Sequence, residues 1–155
     1  MQTRLLITLV IIAFFLGGCA ATYAPPKTPG QNAEMKIDKP RSDLFKAARR
    51  ALVADGYQIA SADEQSGTIS TASKSLKVTP EQANCGTTLG IDYLKDNRTS
   101  TRVAYGLIVD DGRIQATSTI EGEYKPGAVD QNITLTCISR GVLEQSLLDK
   151  IRATL

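Results

Sequence analysis

The stretch that decides the fold is RVAYGLIVDDGRIQATSTIEGEY, residues 102–124. Apolar residues alternate with polar ones along 102–110 and again along 113–124, a period of two that is typical of half-buried β-strands. Asp111-Gly112 separates the two runs, and Asp-Gly favours a two-residue type I′ turn in which both residues adopt positive φ. The pattern therefore predicts an antiparallel hairpin with one buried face and one wet face.

A helix is predicted on the N-terminal side of this hairpin, after a short strand at 35–37. Ser42 is its predicted N-cap, and Asp55-Gly56 is expected to end it, because glycine tolerates a left-handed C-cap. The apolar stripe of this helix consists of Leu44, Phe45, Ala48, Ala51 and Leu52.

A second helix is predicted at the C-terminus, with Ser139 as its N-cap. Its apolar stripe consists of Leu143, Leu147, Leu148, Ile151 and Leu155. Further strands are predicted at 57–60 and 68–71, which form a hairpin around the polar stretch 63–67, and at 133–137. The order strand, helix, strands, helix predicts an α+β fold, with an antiparallel sheet of about four to six strands covered on one face by two helices.

The N-terminal segment MQTRLLITLVIIAFFLGG, residues 1–18, begins with a basic residue and continues as an apolar run. The run from Leu5 to Leu16 would span only about 18 Å as a helix. That length is short of the roughly 30 Å hydrocarbon core of a membrane. The segment therefore predicts a secretory signal peptide rather than a transmembrane helix.

The tetrapeptide LGGC, residues 16–19, resembles the lipobox of bacterial lipoproteins. The resemblance implies that residues 1–18 are a lipoprotein signal peptide and that Cys19 becomes the first residue, carrying diacylglycerol and palmitate chains. Ala20 stands where inner-membrane lipoproteins typically have Asp, which implies the periplasmic face of the outer membrane. An inner-membrane lipoprotein is the alternative address, and an ordinary signal peptide with an incidental cysteine is the alternative to lipidation.

Residues 19–34 are rich in proline and lack apolar periodicity. Such a segment favours extended conformations, and it predicts a tether that could hold a domain on the order of 40 Å from the membrane. The sequence thus divides into the signal peptide at 1–18, the lipidated Cys19 with its tether at 19–34, and one globular domain at 35–155.

Two cysteines remain once Cys19 is assigned to lipid. Cys85 and Cys137 form an even pair in an oxidising compartment, which predicts a disulfide. A disulfide between them would close a loop of about 50 residues and would stabilise the domain by roughly 4 kcal/mol in the chain-entropy model. A metal pair and a redox thiol are the alternatives, although two thiolates without histidine make a poor metal site and there is no CxxC motif.

Composition excludes several functional classes. The 18 basic and 16 acidic residues leave a net charge of +2, which gives no basic face for nucleic acid. The chain has no histidine. Serine or cysteine nucleophiles activated by histidine, and the usual zinc sites, are thereby excluded. No phosphate-binding glycine loop occurs in the sequence, and no cofactor is expected.

The candidates for acid–base chemistry are two carboxylate pairs, Asp110 with Asp111 at the hairpin turn and Glu121 with Glu123 on the wet face. Turn geometry and solvent exposure explain both pairs without catalysis. A hydrolase of peptidoglycan or lipid that uses such a pair is one hypothesis. It requires two carboxylates that face each other in a concave pocket.

The segment FKAARRALVADGYQIASADEQSGTIS, residues 45–70, is similar to small α+β domains of periplasmic lipoproteins. Among these are the helix-grip domains of the lipoprotein subunit of the outer-membrane β-barrel assembly machinery. The resemblance implies no site residues. It favours the other hypothesis, a membrane-anchored lipoprotein that binds an envelope protein or component without catalysis, through the wet sheet face or a groove between sheet and helix.

Overall fold

A computed structural model describes residues 23–127 and 132–155. The predicted signal peptide and the predicted lipidation site, Cys19, lie outside the described residues. In chain order the strands are β1 (Tyr23–Ala24), β2 (Ala33–Lys36), β3 (Ile59–Asp63), β4 (Thr68–Thr71), β5 (Lys74–Ser75), β6 (Ala83–Asn84), β7 (Thr87–Thr88), β8 (Ile91–Asp92), β9 (Thr99–Asp110), β10 (Arg113–Tyr124), β11 (Ile133–Thr136) and β12 (Ile138–Ser139). The helices are α1 (Arg41–Ala54), α2 (Val142–Arg152) and a 3₁₀ helix at Tyr93–Lys95.

The fold is α+β, as predicted, and its centre is the predicted hairpin. β9 and β10 pair antiparallel along their whole length. The main sheet has the order β11-β10-β9-β4-β3, with β2 also paired to β10 and β5 to β9. It thus contains seven strands, one more than the four to six expected, because β5 has only two residues and pairs with a short part of β9, so no alternation marks it in the sequence.

Two small sheets lie outside the main one. β1, β7 and β8 form the first, and β6 pairs with β12 in the second. All five of these strands have only two residues, a length too short to show a hydrophobic period.

The turn between β9 and β10 has two residues, as predicted, because Asp110 pairs directly with Arg113. The type I′ assignment is wrong, since Gly112 alone of the two turn residues has a positive φ, 71°. Contacts from outside the hairpin set this geometry. The Gly112 carbonyl accepts a hydrogen bond from the Ile37 N–H (3.0 Å), and the Gly112 N–H donates to the Lys39 carbonyl (3.1 Å).

Helix α1 begins one residue before the predicted N-cap. Pro40 occupies the N-cap position and Ser42 lies inside the helix, so that prediction is wrong. The capping acceptor comes from the hairpin turn instead, where the Asp111 carboxylate accepts the Arg41 N–H at 2.9 Å. The predicted end is confirmed, because the helix stops at Ala54 and Gly56 adopts a φ of 79°.

Helix α2 begins after Gly141, which occupies the N-cap position with a φ of 82°. The prediction of Ser139 as N-cap is wrong because Ser139 belongs to β12 and pairs with β6. The predicted apolar stripe is buried except for Leu155, which lies beyond the end of the helix and is 38% exposed.

Both helices pack on the same side of the main sheet and enclose one hydrophobic core. On the sheet this core takes alternate residues of the two long strands, and on the helices it takes the predicted stripes. Its sheet residues include Val103, Tyr105, Leu107, Val109, Ile114, Ala116, Ile120 and Tyr124. The opposite side of the sheet is not covered by any element in the described ranges, so the predicted division into a buried and a wet face is confirmed.

Within the ranges 23–127 and 132–155, no helix has the length and apolar character needed to cross a membrane.

Candidate functional site

The uncovered side of the main sheet, here called the open face, is the broadest candidate surface. It is formed by alternate residues of β9 from Arg102 to Ile108 and of β10 from Gln115 to Glu123, together with Thr68 and Ser70 of β4. Short side chains lie at its centre, where Ala104 pairs with Thr119 and Gly106 pairs with Thr117. The middle of the open face is therefore flat and almost uncharged.

Neither carboxylate pair is arranged for catalysis. The Asp110 carboxylate binds the Arg113 guanidinium at 2.6 Å, and Asp111 caps α1. Glu121 and Glu123 lie two residues apart on one strand, and their backbones place them side by side on the open face rather than opposite each other across a cleft. The geometry that the hydrolase hypothesis requires is not present at either pair.

A groove of about 940 Å³ lies between β2 and α2. Its walls carry both charges and one exposed apolar side chain, Val142. The charged residues of its lining are Glu34, Arg140, Asp149 and Lys150. This is the predicted groove between sheet and helix, but it is wide open to solvent and has no enclosed apolar floor of the kind that small-molecule sites need.

The predicted disulfide is present. Cys85 and Cys137 are joined at an S–S distance of 2.01 Å across 52 positions of sequence. Cys85 is fully buried, and Cys137 packs against β10 at Gly122. A side chain at Gly122 would place its Cβ 2.7 Å from the Cys137 Sγ, so only glycine fits beside the bond.

Part of the predicted tether is attached to the domain. β1 pairs with β7, where Tyr23 lies opposite Thr88 and Ala24 opposite Thr87. Farther along, the Gln31 N–H donates to the Ser139 carbonyl at 3.0 Å. We call residues 23–32 the strap. The prolines of residues 19–34 predicted an extended tether, but residues of the domain hold both ends of the strap, so residues 23–32 lie along the domain.

The side chain of Tyr23 is the main anchor of the strap. Its hydroxyl accepts the Thr136 N–H at 2.9 Å and lies 3.3 Å from the Thr136 carbonyl, to which it donates. Its ring packs edge-on against Tyr93, with centroids 5.7 Å apart, and Tyr93 in turn packs against Tyr124 at 4.9 Å. Gly86 fits beneath the strap, since a Cβ there would lie 2.4 Å from the Ala24 carbonyl oxygen.

A buried carboxylate, Glu144, was missed by the sequence reasoning. It is fully buried in the first turn of α2 and accepts hydrogen bonds from Ser118 at 2.5 Å and Ser139 at 2.7 Å. The location near the positive end of the helix and the two hydroxyl donors satisfy the carboxylate. It joins β10, β12 and α2, which is a structural role. The sequence carried no signal for it, because acidic residues are common in the first turns of exposed helices.

Tyr57 and Tyr105 place two hydroxyl groups inside the hydrophobic core. Burial raises the pKa of Tyr105 well above its usual value, and the neighbouring Tyr57 adds to this effect. Burial likewise raises the pKa of Tyr57. Their rings pack edge to face at 5.0 Å, and the Tyr105 hydroxyl donates to the Leu143 carbonyl at 3.3 Å. Both groups therefore stay protonated at neutral pH and serve as hydrogen-bonding core residues.

A surface ion pair strongly lowers the pKa of one carboxyl group, Asp96. Asp96 forms a salt bridge to Arg98 at 2.6 Å, and the hydrogen bonds from Arg98 lower the pKa of Asp96 to about 2. The Arg98 guanidinium also stacks over the Tyr124 ring at 5.0 Å.

In the described part of the chain, no group of three or more cysteine and carboxylate side chains could hold a metal ion.

Comparisons with known proteins give no family, since no family model matches the chain and no curated protein does. Nine chains of solved structures match it, among them the following two. A TBP-like protein from Parabacteroides distasonis ATCC 8503 aligns with 18% identity and a TM-score of 0.42, over 72% of this chain and 68% of that one. A DUF4468 family protein from Bacteroides ovatus ATCC 8483 aligns with 14% identity and a TM-score of 0.46, over 71% of this chain and 64% of that one.

Proposed function

We propose that this chain is a lipid-anchored protein of the bacterial cell envelope whose domain binds an envelope protein through the open face, without catalysing a reaction. The observation that carries the proposal is the open face itself. Two helices fill one side of the main sheet, while the other side presents short, uncharged side chains at its centre.

The size of the open face suits a protein partner. Five adjacent strands at a spacing of about 4.8 Å give a width of about 20 Å, and twelve residues at about 3.4 Å give a length of about 40 Å. The product, an upper bound of about 800 Å², is close to the area that each partner contributes to a typical protein–protein interface. A small molecule would instead require a concave, enclosed site.

The chemistry of the open face supports the same partner. Its centre lacks bulky side chains, so a partner can approach the strands closely, and Ile108 adds an apolar contact that is 47% exposed. Charged residues lie toward its ends, among them Arg102 and Glu121, which pair across the two long strands. An apolar or neutral centre with a charged rim is the usual composition of such interfaces.

The lipid anchor rests on the LGGC resemblance at 16–19. Several acyl chains on Cys19 would hold the protein on a membrane durably, whereas one chain binds only reversibly. The outer membrane is the proposed address, because Ala20 lacks the acidic character of an inner-membrane retention signal.

Site-specific photocrosslinking in intact cells tests the binding surface. We expect a benzoylphenylalanine at Thr117, in the centre of the open face, to give a discrete protein adduct. The matched control is the same residue at Val53, which is 60% exposed on α1, on the helical side of the domain. An absence of adducts at Thr117, or equal adducts at both positions, in protein that is folded and membrane-bound would contradict the proposal.

A further inference from the structure

The hairpin formed by β7 and β8 ends in an exposed apolar tip. We call Leu89–Ile91 the hydrophobic tip. Leu89 is 81% exposed and Ile91 is 61% exposed, and they are the two most exposed large apolar side chains of the described residues. The whole run from Thr87 to Ile91 carries no charge. Exposure of two neighbouring large apolar side chains on a projecting turn is unfavourable in water and marks a contact surface.

The backbone of the tip is itself held in an unfavourable conformation. Leu89 has a φ of 50°, the one positive value among the described non-glycine residues. Most L-residues avoid this region, and glycine or asparagine would adopt it more readily. The two-residue turn Leu89-Gly90 requires a positive φ at both positions, and Gly90 has a φ of 80°. Asparagine or glycine would meet this requirement at a lower cost than leucine.

The register of the strap places the N-terminal end of the chain beside this tip. Tyr23 lies opposite Thr88 in an antiparallel pair, and Leu89 follows Thr88 directly. The chain that precedes Tyr23 therefore leaves the small sheet at the same end as the tip, one strand spacing of about 5 Å away.

Very little chain separates this point from the proposed lipid anchor. Only Ala20, Ala21 and Thr22 stand between Cys19 and Tyr23. Four Cα-to-Cα steps reach at most about 14 Å, even when fully extended. The acyl chains on Cys19 would therefore hold the membrane surface within reach of Leu89 and Ile91.

We propose that the hydrophobic tip inserts into the lipid surface beside the acylated Cys19, as a second, non-covalent membrane contact. This inference rests on the proposed lipid anchor and adds a defined orientation to it. The domain would lie directly on the membrane with the end of the β7–β8 hairpin in the interface, instead of standing off on a long tether. Tyr23 would hold the anchor and the tip together, through its bonds to Thr136 and its contact with Tyr93.

Tryptophan fluorescence provides a direct test, because the chain contains no tryptophan of its own. The acylated protein is extracted from membranes, its acyl mass is verified, and it is reconstituted in vesicles of phosphatidylethanolamine and phosphatidylglycerol. The variants are Leu89→Trp and Ile91→Trp, the second of which avoids the positive φ of position 89. Vesicles with and without brominated phosphatidylcholine, a collisional quencher within the bilayer, are compared.

The expected result is blue-shifted emission at both tip positions and loss of most of that emission in brominated vesicles. The matched control is Ile108→Trp, which is exposed on the open face, and its emission should be the same in both kinds of vesicle. Equal quenching at Ile91→Trp and Ile108→Trp in protein of verified acyl mass would overturn the inference while leaving the anchor intact.

Two other outcomes would also overturn it. Blue-shifted emission at Ile91→Trp without quenching would show that protein, such as a second copy of this chain, covers the tip instead of lipid. Absence of an acyl mass on the purified protein would remove the lipid anchor, and with it both the proposed function and the reason for the tip to meet a membrane.

Discussion

The hairpin of β9 and β10 and the small sheet of β1, β7 and β8 are stabilised in different ways. The long hairpin has twelve register pairs and buries alternate side chains against two helices. The small sheet has two register pairs at each of its two junctions. The disulfide at Cys85 lies next to it in the chain, and the contacts of Tyr23 join it to β11.

Under the proposed lipid anchor, this difference separates the part of the chain that stabilises the fold from the part that would meet the membrane. Burial of apolar area in the hairpin and helices supplies the driving force for folding. The small sheet buries little, yet it carries the strap and the exposed tip, which would otherwise be free to move relative to the domain. A covalent bond and one tyrosine thus orient the end of the chain that we propose is joined to lipid.

The largest loss of stability is expected from a substitution in the hydrophobic core between the long hairpin and the helices. Leu52→Ala removes a fully buried side chain of α1 and should lower the free energy of unfolding by about 2–5 kcal/mol. The matched control is Val53→Ala, one residue along the same helix but 60% exposed, with an expected change within about 0.5 kcal/mol. Urea denaturation measures both. Similar losses for the two variants would contradict the assigned helix face.

A smaller loss is expected from the disulfide. The double variant Cys85→Ala with Cys137→Ala should lose about 2–4 kcal/mol of stability, because the unfolded chain regains the freedom of a long loop. Hydrogen exchange should also become faster at the amides of β7 and β8, more than in β9 and β10. The wild-type protein in reductant serves as the comparison and should match the double variant. Unchanged exchange at β7 and β8 would show that the bond does not order the small sheet.

The strap should respond to the loss of one hydroxyl. Tyr23→Phe removes both hydrogen bonds to Thr136 and should ease opening of the strap by about 1 kcal/mol, with little effect on global unfolding. Hydrogen exchange at Thr87 reports this opening, because the alternation of the ladder turns the Thr87 N–H toward Ala24 of the strap and the Thr88 N–H toward β8. Tyr105→Phe, which removes a hydroxyl in the core instead, should leave Thr87 exchange unchanged. If the two variants accelerate Thr87 exchange equally, the strap is not held by Tyr23.

The smallest effect concerns the titration of Asp96, which lies between β8 of the small sheet and β9 of the long hairpin. Asp96 should titrate with a pKa of about 2, because Arg98 donates hydrogen bonds to its ionised form. Folding lowers the pKa of Asp96 below its value in the unfolded chain, about 3.9. The ion pair therefore stabilises the fold above about pH 3.9, and this stabilisation disappears as the pH falls toward about 2. Arg98→Gln should raise the pKa of Asp96 toward 3.8, as measured by carboxyl chemical shifts.

Lys95→Gln is the control for that titration, because Lys95 is adjacent in sequence but does not hydrogen-bond to Asp96. It should leave the midpoint in place. A midpoint near 3.8 in the unmodified protein would show that the ion pair does not form in solution.

The long hairpin of β9 and β10 and the two helices were predicted well, because their apolar residues recur with the regular periods of strands and helices. Alternation along residues 102–124, the position of the two-residue turn and the two apolar helical stripes all depend on local pattern, and the structure confirms them, apart from the turn type and Leu155. The disulfide was predicted from the cysteine count, because assigning Cys19 to lipid left Cys85 and Cys137 as a pair.

The errors occur where distant residues decide the local structure. Asp111 caps α1 from the hairpin turn, which makes Ser42 unnecessary as a cap. Ser139 is drawn into β12 and bonds Glu144, so it does not begin α2. The strap has the composition of a linker, and contacts with distant residues make it part of the fold, namely its pairing with Thr87–Thr88 and its bonds to Thr136 and Ser139. No local pattern in a single sequence reports such contacts.

The measurement that tests the account most directly is the intact mass of the protein extracted from cell membranes, compared with that of the Cys19→Ala variant. The account predicts a chain that begins at Cys19 and carries the mass of several acyl chains. The variant is predicted to lack that mass and to leave the membrane fraction. A mature chain without acyl mass, or a Cys19→Ala variant that stays on the membrane with unchanged processing, would contradict the account.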